Sequence, residues 1–350
     1  MKKSGSVSVK DIAERMNISL STVNKALTGK SGISEKRRNE VLAVSKEMGY
    51  ECNRIAQSLA RNPITIGIIF PDKWSDYYRA INIGMREEFA SLEKYKVKSS
   101  IYFTSGKDVQ SGESLKEWIV KENIKAIILC ASAHESADVV EETITHFSLP
   151  VFQVGEEQKY SKMISSVVTN VVMAGNLAAD FLNCIYGKNI KAVALTGFKN
   201  IDSHREKAEA FKNNVEKAGG TVYAIEETSD DPEKAYEVMK KLCEKYPDIN
   251  AVYAATATSS YACEFIAEKN IQDKIVFIGT DMFDSLKEYM KKDVIRATVF
   301  QNQEKLGATV VRSIYDYFVE KNSFGYENVS SVDKIVVNPV LYLKSNIEEE

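Results

Sequence analysis

The spacing of apolar residues between positions 9 and 48 predicts three short helices. The first ends at Asn17, a residue that tolerates the left-handed backbone of a tight turn, and the second follows at once with Ser19 as its N-cap. The third begins at Ser34, and Gly49 suits the position just after its last turn. The residues predicted to face inward are Val9, Ile12, Ala13, Met16, Val23, Ala26, Leu27, Val41, Leu42, Val44, Ser45 and Met48. Two short helices joined by a tight turn are typical of a helix-turn-helix.

The outward face of the second predicted helix, with Leu20, Ser21, Asn24 and Lys25, is a candidate surface for contacting DNA. Residues 1–61 carry twelve Lys and Arg against six Asp and Glu, a net charge of +6, whereas the rest of the chain carries 34 basic and 43 acidic side chains, a net charge of −9. This asymmetry suits contact between the basic head alone and phosphates. Basic three-helix bundles also occur in proteins that never bind DNA, and the helix pattern by itself leaves that alternative open.

Beyond residue 63, short apolar runs alternate with amphipathic segments of helical length. The runs occupy residues 64–70, 97–103, 126–132, 150–154, 192–197, 222–226, 251–255, 275–279 and 297–301. Short buried strands separated by helices indicate parallel sheets built from right-handed crossovers. A segment of about 280 residues is large for one core, so we expect two doubly wound lobes with ligand-binding loops at the carboxyl ends of their strands.

The predicted fold class is therefore α plus α/β, in three segments. A helix-turn-helix headpiece spans residues 1–52, a hinge helix or linker spans residues 53–63, and a two-lobed domain of doubly wound parallel sheets spans residues 64–346. We expect the first lobe to contain about residues 64–168 plus 303–330, and the second about residues 169–300 plus 331–346.

Polar side chains follow three strands predicted in the second lobe. Arg205 comes after the run at 192–197, Asp281 comes directly after the run at 275–279, and Gln301 ends the last run. The guanidinium of Arg205, the carboxylate of Asp281 and the amide of Gln301 can bind the hydroxyls of a ligand. Aromatic rings can stack on the apolar faces of the same ligand. Aromatic residues follow the first strand, at Trp74, Tyr77 and Tyr78. The combination indicates a site for a sugar.

Residues 8–61 closely resemble the DNA-binding headpiece of the lac-repressor family. The similarity rests on DIAERMNIS, STVNKALTG, ISEKRRNEV, GY-x-x-N and IAQSLAR, in that order. The resemblance implies that Leu20, Ser21 and Lys25 contact base edges in the major groove, and that Leu59 of the hinge helix wedges into the minor groove. It also implies that Thr22, Asn24, Tyr50 and Asn53 lie near phosphates. The full set of candidate DNA-contacting residues is Ser19, Leu20, Ser21, Thr22, Asn24, Lys25, Tyr50, Asn53, Ala56 and Leu59.

One departure from the family lies on that surface. Family members usually have Ser-Arg where this chain has Asn24 and Lys25. The arginine that is usual in the family can form two hydrogen bonds to a guanine, whereas the ammonium of Lys25 cannot form the same planar pair. We therefore expect an operator sequence different from those of family members with arginine.

The remainder of the chain resembles the periplasmic ribose-binding type of sugar receptor, the usual effector domain of lac-repressor relatives. The similar segments are HREKAEAF, VVTNVVMAG and GTDMFDSLKEYMKKDVIRATVFQNQEKLG. Many relatives carry an Asp-Arg pair where this chain has Glu156 and Glu157, and a carboxylate there favours a neutral or cationic ligand over an anionic one. The resemblance implies a ligand between the two lobes that contacts Tyr77, Tyr78, Arg205, Asp281 and Gln301. The full set of candidate effector residues also contains Trp74, Glu156 and Thr258.

Other chemistry finds little support in the sequence. The TGKSG stretch at residues 28–32 lacks the upstream glycine and the preceding strand of a phosphate-binding loop, and no G-x-G-x-x-G occurs. Five widely spaced Cys and three His form no metal-binding motif, so we expect neither metal nor cofactor. Without an apolar signal core or a run of about 18 apolar residues, we expect a cytoplasmic protein that does not cross a membrane.

The sequence therefore predicts a DNA-binding repressor, and not an enzyme, whose affinity for its operator is controlled by a small neutral ligand, most simply a sugar. A homodimer on a near-palindromic double-stranded operator is expected from the geometry of such headpieces. Residues 76–93 and 303–320 are amphipathic, and either a dimer interface or core packing explains them. Two alternatives stay open, a corepressor-dependent regulator that senses a nucleobase or nucleoside and a sugar-modifying enzyme.

Overall fold

The computed structural model describes residues 7–27, 31–50, 63–71, 75–104, 112–130, 137–155, 160–324 and 333–347. Two compact units are present. The first comprises Met1–Trp74, Ile81–Ser166 and Gly307–Lys334, and the second comprises Ser75–Ala80, Val167–Leu306 and Ile335–Glu350.

The headpiece contains three helices, α1 (Val9–Met16), α2 (Leu20–Leu27) and α3 (Glu35–Glu47). They begin and end where local chemistry predicts. The side chain of Ser8 accepts a hydrogen bond from the backbone N–H of Asp11, and the Asp11 carboxylate accepts one from the backbone N–H of Ser8, which forms a capping box. Asn17 ends α1 with a φ of 51° in the left-handed region. Ile12, Val23, Ala26, Leu27 and Val41 are buried in a core that the headpiece forms for itself.

One six-stranded sheet, most of which belongs to the first unit, has the order β11-β5-β4-β3-β1-β2. Its strands are β1 (Ile64–Pro71), β2 (Val97–Thr104), β3 (Ile124–Cys130), β4 (Val151–Gly155), β5 (Met163–Thr169) and β11 (Asp333–Val337). The helices of this part of the chain are α4 (Asp76–Leu92), α5 (Glu113–Lys121), α6 (Ala137–Phe147) and α12 (Gln303–Phe324). β1 pairs in parallel with both β2 and β3, as the alternation of strands and helices predicts.

The sheet of the second unit has the order β12-β10-β9-β8-β6-β7. Its strands are β6 (Lys191–Thr196), β7 (Thr221–Glu227), β8 (Ala251–Ala255), β9 (Val276–Thr280), β10 (Ile295–Phe300) and β12 (Val340–Tyr342). Its helices are α7 (Val171–Tyr186), α8 (Asp202–Lys217), α9 (Pro232–Lys245), α10 (Ser259–Glu268) and α11 (Asp284–Lys291). Apolar residues of the strands fill two cores, one on each face of the sheet.

All nine predicted strands are present, and three further strands, β5, β11 and β12, were not predicted from the apolar runs. β12 pairs with β10 in the antiparallel direction, so the second sheet is not wholly parallel. On α12, the apolar positions Leu306, Val310 and Ile314 are at most 1% exposed. Core packing therefore explains the amphipathic pattern at these three positions.

Two helices of the second unit approach each other closely at a glycine. A Cβ atom added to Gly175 of α7 would lie 2.3 Å from the carbonyl oxygen of Lys207 and 2.7 Å from the backbone nitrogen of Phe211, both on α8. Only glycine permits this approach without a shift of backbone. The side chain of Lys207 extends toward Gln301 at the end of β10. The contact at Gly175 therefore fixes the position of α8, the helix that carries this ammonium.

Candidate functional site

The exposed face of α2 carries most of the residues predicted to contact DNA. Leu20 is 49% exposed although it is a large apolar residue, and Ser21 and Asn24 are exposed beside it. The side chain of Ser19 accepts a hydrogen bond from the backbone N–H of Thr22 at 3.1 Å, and the two hydroxyls lie 2.8 Å apart. This N-cap confirms the predicted start of the second helix.

The end of α2 is held by an arginine of α3. Arg38 donates from Nη1 to the carbonyl oxygens of Lys25 and Ala26, at 3.2 and 3.4 Å. Lys25 is half-buried, and its ammonium lies near the backbone of Gly32. Tyr50 packs against the headpiece core. The surface that contains Lys25 is therefore part of a folded headpiece with fixed helix positions.

Several predicted site residues lie outside the described residues. They are Asn53, Ala56 and Leu59 of the DNA-contacting set, together with most of the hinge segment, and Trp74 and Glu156 of the effector set. Tyr77 and Tyr78 lie in the first turn of α4, where both are half-buried and their rings meet edge to face with centroids 5.4 Å apart.

Asp281 and Gln301 meet at the carboxyl ends of β9 and β10. The side-chain Nε2 of Gln301 donates to both carboxylate oxygens of Asp281, at 3.1 and 3.0 Å, and its backbone N–H donates to Oδ1 at 3.2 Å. The Nζ of Lys207 lies 3.3 Å from Oε1 of Gln301 and donates to it. Asp281 is 1%, Lys207 4% and Gln301 8% exposed, so this group of polar side chains is almost removed from water.

Burial and hydrogen bonding act in opposite directions on Asp281. Burial raises the pKa of its carboxyl group above the ordinary value, and the ammonium of Lys207 and the amides of Gln303 and Gln301 offset only part of this rise. Both oxygens accept hydrogen bonds from the side-chain amide of Gln301. Asp281 also adopts a φ of 72°, an uncommon conformation for a residue other than glycine, and its carbonyl oxygen accepts a 2.6 Å hydrogen bond from Thr298.

The cation beside Asp281 is Lys207. Arg205, which is predicted to contact the ligand, lies elsewhere on the same helix. Arg205 is 41% exposed in its side chain and forms an ion pair with Asp202 of its own helix. The two residues are separated by two positions on α8, about 200° around a helix, so they face different sides of it. Lys207 could not be chosen from the sequence because HREKAEAF contains two cations, and only the packing of α8 shows which of them lies near Asp281.

Gln303 was also missed. It opens α12, is 1% exposed, and lies close enough to Asp281 to lower the pKa of that carboxyl group. The amide of Gln303 therefore interacts with Asp281, but among the described residues neither its Oε1 nor its Nε2 meets the geometry of a hydrogen bond. A buried amide without partners is costly, and such groups commonly mark a place that a ligand or water occupies. We define the Asp281 cluster as Lys207, Asp281, Gln301 and Gln303.

A second group of polar side chains follows β6, β7 and β8, and we define it as the Asp230 cluster: His204, Asp230, Thr256 and Thr258. The hydroxyl of Thr256 donates to Oδ1 of Asp230, and the hydroxyls of Thr256 and Thr258 lie 3.1 Å apart. Thr258, a predicted site residue, is 7% exposed.

Gly197 allows Asp230 and His204 to lie together. A Cβ atom at Gly197 would lie 2.5 Å from Oδ1 of Asp230 and 2.6 Å from Nδ1 of His204. The backbone N–H of Phe198 donates to that Nδ1 at 3.0 Å, so the neutral ring carries its proton on Nε2. Burial, and then the ammonium of Lys207, lower the pKa of His204 to about 4, although Asp230 opposes this shift. His204 is therefore neutral at pH 7.

The two clusters form a row of donors and acceptors along one edge of the second sheet. Carboxylate, amide, hydroxyl and ammonium groups in this number suit a polyhydroxylated ligand. Within the described residues, no group of three or more His, Cys, Asp and Glu side chains is arranged to hold a metal ion. In the same part of the chain, no helix is both long enough and apolar enough to span a membrane.

Comparison with known families agrees with this architecture. Residues 66–322 match the periplasmic binding protein domain, and residues 8–53 match the lacI family of bacterial regulatory proteins. The chain is 26% identical to catabolite control protein A of Staphylococcus epidermidis (strain ATCC 12228 / FDA PCI 1200) over 59% of its own length and 60% of that protein. It is 25% identical to the HTH-type transcriptional regulator RegA of Clostridium saccharobutylicum, over 61% of this chain and 62% of that one.

The fold is shared with solved sugar receptors. GanP, a glucose-galactose binding protein from Geobacillus stearothermophilus, superposes with a TM-score of 0.67 at 20% identity, over 82% of this chain and 99% of GanP. The matches to the two regulators span about 60% of the length of each relative. The chain therefore belongs to the periplasmic binding protein domain family and carries, at residues 8–53, the helix-turn-helix region of the lacI family of bacterial regulatory proteins.

Proposed function

We propose that this chain is a transcriptional repressor that binds operator DNA through α2 and releases it when a small sugar binds at the carboxyl ends of the second sheet. The observation that carries the proposal is the exposed face of α2. Leu20 is 49% exposed on a headpiece that has its own buried core, so this apolar side chain is available for contact with a base edge.

The Asp281 cluster supports a sugar as the effector. A sugar hydroxyl both donates and accepts, and this cluster offers a carboxylate acceptor beside an amide, Gln303, whose two polar atoms have no partner among the described residues. Binding there would satisfy a buried group that is unsatisfied without ligand, which favours the bound state. A coupling free energy of about 1 to 3 kcal/mol between ligand and operator would change operator affinity five- to 150-fold.

We also propose that the active form is a homodimer on a near-palindromic operator. β2 is an edge strand of the first sheet, and it exposes two large apolar side chains, Ile101 at 41% and Phe103 at 46%. Exposed apolar side chains on an edge strand favour association with another chain. Two headpieces on one twofold axis would bind two half-sites about 34 Å apart.

The test is operator selection followed by titration. The full-length chain is used to select sites from a random duplex library, and binding to the selected duplex is then measured by fluorescence anisotropy with and without pentoses, hexoses and nucleosides. The repressor model expects a palindromic site, weaker binding with a sugar, and at least tenfold weaker binding by the Leu20→Ala variant. A matched control is Lys46→Ala, which alters an exposed residue of α3 away from α2.

Each other outcome has a clear meaning. Tighter DNA binding with a nucleobase or nucleoside would replace inducer control by corepressor control. Turnover of a sugar would indicate an enzyme. Absence of sequence-specific binding at low salt would overturn the proposed function.

A further inference from the structure

In the part of the chain that the structure describes, the carboxyl group of Asp230 has no cation within ion-pair distance. The ammonium of Lys207 lies in the Asp281 cluster, where it donates to Gln301 and lowers the pKa of Asp281, and it also lowers the pKa of His204. His204 is neutral at pH 7 because burial and Lys207 lower its pKa to about 4. Among the described residues, Asp230 forms no ion pair, and its hydrogen bond comes from the uncharged hydroxyl of Thr256. Asp230 therefore offers a carboxyl group whose hydrogen-bond partner is an uncharged hydroxyl.

The position of Asp230 is fixed by its turn. Ser229 and Asp230 both have positive φ values, of 54° and 50°, and the backbone N–H of Ser229 donates to the carbonyl oxygen of Gly197 at 2.7 Å. The turn brings Asp230 from the end of β7 past Gly197 to Thr256 at the end of β8. β8 neighbours β9, which carries Asp281. Asp230, through its contact with Thr256, and Asp281 therefore lie at neighbouring strand ends, and adjacent strands are about 5 Å apart.

The unpartnered amide of Gln303 is an independent sign that a ligand binds here. This side chain is 1% exposed, lies beside Asp281, and has no hydrogen-bond partner among the described residues. Donors and acceptors for hydroxyls are therefore concentrated at the Asp281 cluster, whereas the Asp230 cluster offers a carboxylate without a cation. A ligand that spans both clusters meets hydroxyl-binding groups at one end and an anion at the other.

We propose that the effector is an amine-bearing sugar, and that Asp230 binds its ammonium group while the Asp281 cluster binds its hydroxyls. The inference rests on the proposed function and specifies the effector class of the same site. A protonated amine beside Asp230 forms a charge-assisted hydrogen bond, which is about twice as strong as a neutral one. A neutral sugar leaves the same carboxylate without its counter-ion.

The experiment compares matched ligands on the intact chain. Calorimetric titration is carried out with D-glucosamine against D-glucose and D-galactosamine against D-galactose, with N-acetyl-D-glucosamine as the sugar whose nitrogen carries no charge. At least one amine-bearing member is expected to bind tenfold or more tightly than its neutral partner. The Asp230→Asn variant is expected to lose this preference. Asp273→Asn makes the same charge change at a residue whose side chain is 88% exposed, and it is the matched control.

The wild-type comparison decides the question even if Asp230→Asn fails to fold. Equal or tighter binding of the neutral sugars, or binding of no member of the panel, overturns the inference. A preference for the amine that survives in a folded Asp230→Asn variant overturns the assignment to Asp230. Operator binding is measured in parallel: a chain that binds its operator but prefers neutral sugars contradicts only this inference, whereas a chain that binds no operator contradicts the proposed function.

Discussion

Gln301 donates its side-chain amide to both carboxylate oxygens of Asp281, at 3.1 and 3.0 Å, and its own backbone N–H to one of them. Two residues that are twenty positions apart thus form one rigid unit at neighbouring strand ends. The same amide group accepts from Lys207 through Oε1. These hydrogen bonds fix the orientation of the Asp281 carboxyl group, so its remaining lone pairs point in a fixed direction.

Replacement of Lys207 tests which cation serves the site. Lys207→Met removes the ammonium that donates to Gln301 beside buried Asp281, and loss of a charged hydrogen-bond partner from a buried polar group costs about 1 to 3 kcal/mol. We expect a fall of that order in the free energy of unfolding, measured by urea titration, and at least tenfold weaker effector binding. Arg205→Met is the matched variant, and its exposed ion pair with Asp202 predicts a change within about 1 kcal/mol. A larger loss of effector binding in Arg205→Met would favour the prediction made from sequence.

His204 predicts a pH dependence of stability. Its pKa is about 4 in the folded chain against an ordinary value of 6.5, so the unfolded chain binds the proton first as pH falls. The stability that neutral His204 contributes is therefore present above pH 6.5 and is lost as pH falls toward 4, by on the order of 2 to 3 kcal/mol. His204→Asn retains an acceptor for Phe198 and should weaken this dependence in urea unfolding at pH 7.0, 5.5 and 4.5. His146→Asn, at an exposed histidine, should leave it unchanged.

Lys25 predicts a change in DNA specificity. A lysine that contacts a base edge contributes about 1 to 3 kcal/mol of discrimination, so Lys25→Ala should reduce the ratio of specific to non-specific binding about five- to 150-fold. Lys46→Ala should weaken both kinds of binding by a similar small factor. Anisotropy titrations on operator and scrambled duplexes at two salt concentrations provide the ratio. A proportional loss on both duplexes in Lys25→Ala would mean that Lys25 contacts phosphate only.

Gly175 predicts a coupling between helix packing and the site. The Cβ atom of Gly175→Ala would lie 2.3 Å from the carbonyl oxygen of Lys207, so α7 and α8 must separate. We expect a loss of roughly 1 to 3 kcal/mol in the free energy of unfolding, as for an overpacked core, together with weaker effector binding because Lys207 moves. Val172→Ala changes an exposed position of α7, 48% exposed, and is the control for an alanine in this helix. Loss of stability without loss of effector binding would separate the helix contact from the site.

Short-range sequence patterns predict almost all of the helix bounds in the headpiece. Asn17, Ser19 and Gly49 each have a short-range reason to end or begin a helix, and the structure confirms all three positions. The nine long apolar runs were equally clear. β12, with only three residues, and β11, in which two of five residues are charged, resemble loops in sequence because edge strands bury little side-chain area.

The site was harder to predict because it depends on contacts distant in sequence. Asp281 and Gln301 directly follow or end apolar runs, so their position at strand ends could be inferred. The choice between Arg205 and Lys207 depends on which face of α8 packs against α7. Gln303 opens a helix, and Asp230 lies two residues beyond a strand in a turn with positive φ, so neither has a local pattern that marks it as part of a site.

The close approach at Gly175 restricts which parts of the candidate site can change without disturbing the fold. Because the carbonyl oxygen of Lys207 lies against a residue without a side chain, α7 and α8 are closely packed and have little room to slide past each other. Replacements at Asp230, Thr258 and Gln303, which lie outside these two helices, would change the polar groups near the strand ends and leave this helix contact intact.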